Sequence, residues 1–523
     1  MIGFPSRSAA LCFFGLSLMP GCSRTDLYEV IEYPTGGCEG VNCSPPSYPP
    51  CAAHTILVVD APTSIAPATA SGGPYSVSPA LPPGLSLDVA TARISGTPNN
   101  IAAATDYTIS SRAGSTTINI EVAPGFVVDD LADANDASPG DGQCATATAT
   151  CTLRAAIEET NAGGLLMAVV VPEGTITLAL GALPIVGSVL VSGSCGGVTV
   201  VDADGASGVF AVTAADLVTL ANLTIQHGVL VDNPGAGVYV RTDATTVVTL
   251  RDLVLQDNVI TGSAGAFVNG GGVFVYGSGI EVSLSDCVIS GNQVSGRGGG
   301  ISIEGGAAAA IARCAIVGNT ASNYGGGINA HGASCVVTES LIADNTSNDY
   351  GGAVMAAATT GTLALTNTTL VNNVGLRGGA IAGFGAAITL VNDTIVGNQS
   401  TDTLLSFPGG VWAPSVSMQN VIWGGNRDAF GALANCFPTT PATISLGHNI
   451  ADNASDCGMT AAGDQPGMSA ILGPLQDNGG PTQTMALLPG SPGIDQGNGC
   501  PAIDQRGYPR PADLCDIGAF EVP

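Results

Sequence analysis

The sequence predicts an all-β protein whose body is a parallel β-helix preceded by a small β-sandwich, and three observations carry the reading of the body. The first is a repeated apolar-x-x-Asn pattern, Ile289-Ser290-Gly291-Asn292, followed by Ile316 with Asn319, Ile342 with Asn345, Leu370 with Asn373 and Ile395 with Asn398. These Asn positions are separated by 27, 26, 28 and 25 residues, a period that marks a solenoid or array. The second is a Gly-Gly-(Gly/Ala)-apolar run that alternates with it, at 270–273, 298–301, 325–328, 351–354 and 378–381. The third is what lies between the marks. Stretches such as Ile280-Glu281-Val282-Ser283-Leu284 alternate or are β-branched, are too short for helices, and end on Gly or Asn. Coils of this kind stack about 4.8 Å apart.

Stacking gives the Asn residues a role. At one corner per coil, the amides of Asn292, Asn319, Asn345, Asn373 and Asn398 can bond their equivalents or backbone groups above and below. Five residues before each stand Cys287, Cys314, Ser340, Thr368 and Asp393. Period-two alternation turns these inward, so Cys287 and Cys314 read as neighbouring thiols in a core stack.

Composition narrows the function. Of 523 residues, 73 are Gly, which suits a turn-rich stack, and the formal net charge of −28 reflects 13 Arg with no Lys. No basic stripe exists to displace counterions, so nucleic acid is excluded as a partner, and Schiff-base chemistry needs a Lys that is absent. No stretch after the N-terminus is long and apolar enough to span a membrane.

The N-terminus reads as an address. Arg7 precedes an apolar stretch at 11–18, and Met19-Pro20-Gly21-Cys22 resembles a bacterial lipobox. The resemblance implies that Cys22 is lipidated and that the chain is exported and held on the bacterial outer membrane, at the surface or in the periplasm. Residues 22–54 form a Pro, Gly and Cys rich tether in which Cys38, Cys43 and Cys51 offer one disulfide. Elsewhere close spacing pairs Cys144 with Cys151, Cys436 with Cys457 and Cys500 with Cys515. Thirteen Cys remain once Cys12 and Cys22 are set aside, so at least one thiol stays unpaired within the chain.

Residues 55–123 alternate as short strands around Leu81-Pro82-Pro83-Gly84-Leu85 and Ile94-Ser95-Gly96-Thr97-Pro98, the pattern of a small β-sandwich. These segments resemble the immunoglobulin-like module of bacterial surface proteins, commonly a spacer or weak adhesive unit. Residues 124–166 hold Cys151-Thr152-Leu153-Arg154-Ala155-Ala156-Ile157, a short amphipathic helix that would cap the solenoid. It resembles the CSLREA motif of exported β-helix proteins, with Thr152 for Ser and Ala155 for Glu. The coils at 167–460 resemble polymorphic outer membrane protein repeats and the pectate-lyase-like group, which implies a right-handed parallel β-helix. Residues 461–523, with Gln476-Asp477-Asn478-Gly479-Gly480-Pro481, Asp504-Gln505-Arg506-Gly507 and Asp516-Ile517-Gly518, resemble the choice-of-anchor Q domain. This segment is expected to close the second end, with Arg506 paired to Asp504 or Asp516.

No catalytic set is legible. Bases in the coils are Arg241, Arg251, Arg297, Arg313, Arg377, Arg427, His227, His331 and His448. Arg297 and Arg377 share a coil position about three coils, or ~14 Å, apart, too far for one reacting centre. Asp257, Asp344, Asp349 and Asp393 follow repeat positions without converging. No metal or cofactor site is assigned, although Asp344, Asn345, Asn348 and Asp349 form a corner that could take a structural calcium. The expected function is therefore adhesion, or binding of a glycan or cell-surface partner, with the lipid as the membrane contact. A polysaccharide lyase or glycoside hydrolase is the alternative, and a structural envelope protein the third.

Overall fold

A computed structural model describes residues 44–195, 197–262, 268–357, 361–437, 443–454, 457–511 and 514–523. The lipobox with Cys22, and Cys38 and Cys43 of the tether, lie outside these residues. The coils between about Val229 and Ser400 visit four sheets in turn, and those outside that span fewer. The first runs from Gly125–Val127 to Thr443–Gly447 and the second from Gly174–Thr177 to Gln465–Pro466, with 12 strands apiece. A third, short sheet has 7 strands from Val229–Val231 to Gln399–Ser400, and a fourth has 9 from Leu183–Ile185 to Val411–Trp412. The strands of successive coils pair in parallel, as in Val273↔Ile301 and Ile301↔Ile328, and stay in register except at irregularities by Ser347 and Met418. The chain is thus a parallel β-helix, and its ladders reach slightly past both sequence boundaries, to Gly125 and Pro466.

Three corners turn the coil, and each needs left-handed backbone. Between the first and second sheets stand Asp252, Asp286, Arg313, Glu339, Asn367 and Asn392, all with φ between 51° and 56°. Asn and Asp adopt this conformation most readily, and these side chains point outward. At the corner before the fourth sheet the runs of glycine explain themselves. Gly298, Gly325 and Gly351 have φ of 68°, 63° and 68°. The next glycine has ordinary φ but no room: a Cβ on Gly326 would meet the carbonyl oxygens of Gly352 and Thr346 at 2.5 Å. At the third place the nearest contact relaxes to 2.8 Å for Gly327, and Ala353 and Ala380 occupy the equivalent position.

Both ends are covered. Helix α1, Leu153–Gly163, begins on Thr152, whose Oγ1 accepts from Ala155 N, and ends on left-handed Gly164. Its Leu153, Ala156 and Ile157 join the solenoid core. Ala155 is fully buried, and the local ion pair is made by Arg154 with Asp133 at 2.6 Å, both side chains nearly inaccessible. At the other end Trp423, Cys436, Ala451, Cys457 and Met459 belong to the same core, with Cys436 bonded to Cys457.

The C-terminal segment does not plug that end. It runs back along the flank, laying Leu475 and Met485 on Leu341, Ala343 and Val371, and Leu487 and Ile517 on Ile422 and Ile450. The outward faces of those second-sheet strands are apolar, which is why they must be covered. Corner residues clip the strap in place: Asn367 Nδ2 donates to Ile503 O at 2.8 Å and Asn392 Nδ2 to Asp516 O at 3.1 Å. Inside it Arg506 pairs with Asp504 at 2.7 Å, Arg510 with Glu521 at 2.6 Å, and Cys500 with Cys515.

The N-terminal module is a sandwich of 4- and 3-stranded sheets around Ile94, Ile109, Ile118 and Ile120. Its signature glycines abut: a Cβ on Gly84 would lie 1.9 Å from Thr97 O, and one on Gly96 2.1 Å from Gly84 O. Rather than hanging free as a spacer, the module packs Ile56, Val58 and Ala123 against Ala168 and Leu190 of the first sheet. Cys51 pairs with Cys195, not with another cysteine of the tether, and Arg251 Nη1 donates to His54 O at 2.7 Å.

Candidate functional site

Two rows of side chains, one facing in and one facing out, emerge from the same period. The inward row is the Asn ladder. Asn319 Nδ2 donates to Asn345 Oδ1 at 3.0 Å and to Ile289 O at 2.8 Å, while its backbone N–H bonds the same Asn345 oxygen at 3.0 Å. Asn292, Asn345, Asn373 and Asn398 repeat this arrangement, and all five are fully buried. Each amide uses both donors and both acceptor directions, so no buried polar atom of the corner is left over. The ladder extends beyond the expected five to Asn258 at one side and to Asn426 and Asn435 at the other, where Asp452 Oδ1 accepts the last bond at 2.9 Å. The repeat there departs from the apolar-x-x-Asn spacing, which hid the final member.

The companion row also stacks. Cys314 N donates to Ser340 Oγ at 3.1 Å and Thr368 N to Asp393 Oδ1 at 2.8 Å, and Cys287, Cys314 and Cys335 are buried free thiols. Asp393 is wholly inside, and burial pushes its carboxyl well above the usual range despite two backbone hydrogen bonds. Cys144 and Cys151 form a disulfide beside α1. The proposed calcium corner does not assemble: Asn345 points into the ladder while Asp344 and Asn348 are exposed. Among the described residues no group of three His, Cys, Asp or Glu could hold a metal ion.

The outward row on the fourth sheet is where chemistry collects. Register aligns Tyr239, Phe274, Ser302, Asn329, Met355, Ala382 and Trp412 in one line, and Arg241, Tyr276, Glu304 and His331 in a second. A third line precedes the glycine corner, with Asn269 bridged to Arg297, and Tyr324 to Tyr350. The result is a polar centre between two aromatic platforms. In the centre Glu304 Oε1 accepts from Asn269 Nδ2 at 2.9 Å, Ser302 Oγ at 2.9 Å and Asn329 Nδ2 at 3.1 Å. Burial pushes the Glu304 carboxyl up; the Ser302 hydrogen bond and the charges of Arg297 and His331 oppose the shift. Asn329 is fully buried, and its Oδ1 has no hydrogen-bond partner among the described residues, a costly condition for an amide.

The platforms differ in size. On one side Tyr239 stacks on Phe274 with centroids 5.7 Å apart, and Phe274 on Tyr276 at 6.4 Å. On the other Tyr350 meets Tyr324 at 5.5 Å, Phe384 at 4.7 Å and Trp412 at 5.4 Å, and Phe407 extends the group 5.7 Å from Trp412. Arg377 lies over Tyr350 and Phe407 and is tied to Asp402 at 2.8 Å, which holds the Asp402 carboxyl below its usual range.

The other bases of the coils are dispersed. His227 faces Asp202 at 3.0 Å, His448 contacts Gln496 O, Arg313 pairs with Asp286 and Arg427 with Gly431 O. Sequence reading passed over Glu304 and Asn329. The signal was present: the second and fourth residues after each Gly-Gly-(Gly/Ala) face outward by alternation, and Phe274 with Tyr276, Ser302 with Glu304, and Asn329 with His331 could have been read as one surface.

No curated protein matches the chain. Residues 236–424 match the family model described as "Right handed beta helix region", and residues 45–123 match the one described as "Putative Ig domain". The molecule is an all-β chain in which an Ig-like module leads into a right-handed parallel β-helix.

Proposed function

We propose that this chain is an exported surface protein, lipid-anchored through Cys22, that binds an extended glycan along the fourth-sheet face without cleaving it. The observation that supports binding is the pair of aromatic platforms flanking a polar centre. Aromatic faces pack against apolar C–H surfaces while the exposed His331 and Arg241 offer hydrogen bonds to hydroxyl groups. Four disulfides suit an oxidising compartment. The lipobox-like start and the choice-of-anchor Q resemblance of the C-terminal strap favour the envelope.

The chain's two tryptophans make the test direct. Trp423 is fully buried in the core, whereas Trp412 stands on the platform. Titration with a panel of soluble polysaccharides should change Trp412 fluorescence, and Trp412→Ala should weaken binding about tenfold, corresponding to ~1.4 kcal/mol. Release of reducing ends or unsaturated products, abolished by Glu304→Gln, would replace this reading with a hydrolase or lyase.

A further inference from the structure

We infer that the fourth-sheet face selects an anionic glycan, one bearing carboxylate or sulfate groups, and that Arg241 and Arg297 are the residues that select it. The inference rests on reading this face as a glycan site. It starts from how the arginines are distributed. Arg154, Arg251, Arg313, Arg377, Arg506 and Arg510 each have a carboxylate within 4 Å, supplied by Asp133, Asp252, Asp286, Asp402, Asp504 and Glu521. Among the described residues Arg241 and Arg297 have none. Each instead lies over a tyrosine ring, Arg241 above Tyr276 at 5.1 Å and Arg297 above Tyr324 at 4.9 Å. A guanidinium stacked in this way is held in place while its N–H edge stays available for a bidentate anion contact.

Both stand beside or before the polar centre. Arg241 stands in the line of Tyr276, Glu304 and His331, two coils before Glu304, and Arg297 belongs to the coil of Glu304 itself. The two cations are therefore offset by about 10 Å along the axis, Arg241 at the end of its strand and Arg297 before the glycine corner. One coil beyond Arg297 the exposed His331 ends the line of Arg241, Tyr276 and Glu304, so the surface offers guanidinium donors for an anion and an imidazole for a hydroxyl. A sugar carrying both an acidic group and hydroxyls matches this set better than a neutral one.

The net charge of −28 opposes an anionic ligand at long range. At physiological ionic strength the Debye length is about 8 Å, so distant acids are largely screened while direct guanidinium contacts are not. Local pairing then outweighs the global field.

The test compares three probes on the full chain by Trp412 fluorescence: dextran, dextran sulfate and polygalacturonate. At least one anionic polymer should bind ten times or more tighter than dextran; both doing so assigns the shared anion, and one alone assigns sulfate or carboxylate. The double variant Arg241→Gln with Arg297→Gln should lose that preference and keep its thermal midpoint, while Arg427→Gln, outside the centre, should keep both. Equal affinity for dextran and both anionic polymers, or a preference that survives the double variant, would overturn the selection while leaving glycan binding in place. No response to any of the three probes overturns this inference, and silence across the wider panel overturns the binding reading beneath it.

Discussion

The Asn ladder and the outward rows of the fourth sheet are built on the same coil period, yet they obey opposite rules. Inside, every coil from Asn258 to Asn426 presents the same amide, because the bonds above and below must be matched at each step. Outside, successive coils present Phe274, Ser302, Asn329, Met355 and Ala382 at one register position. These side chains are buried under neighbouring rings and polar groups of the same face, so each is matched to its own surroundings and no bond obliges successive coils to repeat it. Uniformity marks the structural face of a solenoid, and variation marks the face free to acquire binding chemistry.

The sharpest way to break this contrast is Asn345→Ala in the middle of the ladder. It removes hydrogen bonds to Asn319 N, Asn319 Nδ2, Ile316 O and Asn373 Oδ1 and strands several buried groups. The expected loss is about 4 kcal/mol by denaturant unfolding. A loss below about 1 kcal/mol would mean that water or neighbouring amides rescue the corner and that the ladder does not govern stability.

Asp393 sharpens the comparison through pH. Its folded carboxyl holds a proton that the unfolded chain releases, so this contribution is largest at low pH and is lost as pH rises from the ordinary carboxylate range toward the raised folded value. The slope cannot exceed about 1.4 kcal/mol per pH unit for one proton. Asp393→Asn should flatten, by part of that slope, the fall in wild-type stability as pH rises above the ordinary carboxylate range. The variant's absolute stability is a poorer guide, since Val391 N also bonds the carboxyl and would face an amide N–H₂. Identical pH profiles for the two proteins would show that Asp393 is ionised or solvated.

The smallest effects are expected outside. Arg297→Gln and the exposed corner variant Asn348→Ala should each change unfolding free energy by less than about 0.5 kcal/mol. A loss above about 1 kcal/mol at Arg297 would mean that its stack on Tyr324 is structural, and the outer rows would no longer be the freely varying face.

Much of this architecture was present in the linear pattern because its causes are local or strictly periodic. A Gly at 298, 325 or 351 is required by left-handed backbone, and an Asn at 292, 319 or 345 by a bond to the next coil at a fixed separation. Cys144 with Cys151 and Cys500 with Cys515 are close in sequence and in space. By contrast, the path of the C-terminal segment depends on which sheet face is apolar enough to need cover, and that face is assembled from Ala343, Val371, Ile422 and Ile450 on separate coils. The Cys51 to Cys195 bond spans a separation of 144 residues and exists only because the Ig-like module docks on the first sheet.

The sequence by itself determined the coil, its corners and its inward ladder, because hydrogen-bond matching and left-handed turns act residue by residue at a repeating interval. Only the tertiary structure decided the polar centre at Glu304 and Asn329, the arginines stacked on Tyr276 and Tyr324 and the strap on the flank. Those features join residues from different coils by side-chain reach and burial, and neither quantity is written in the period.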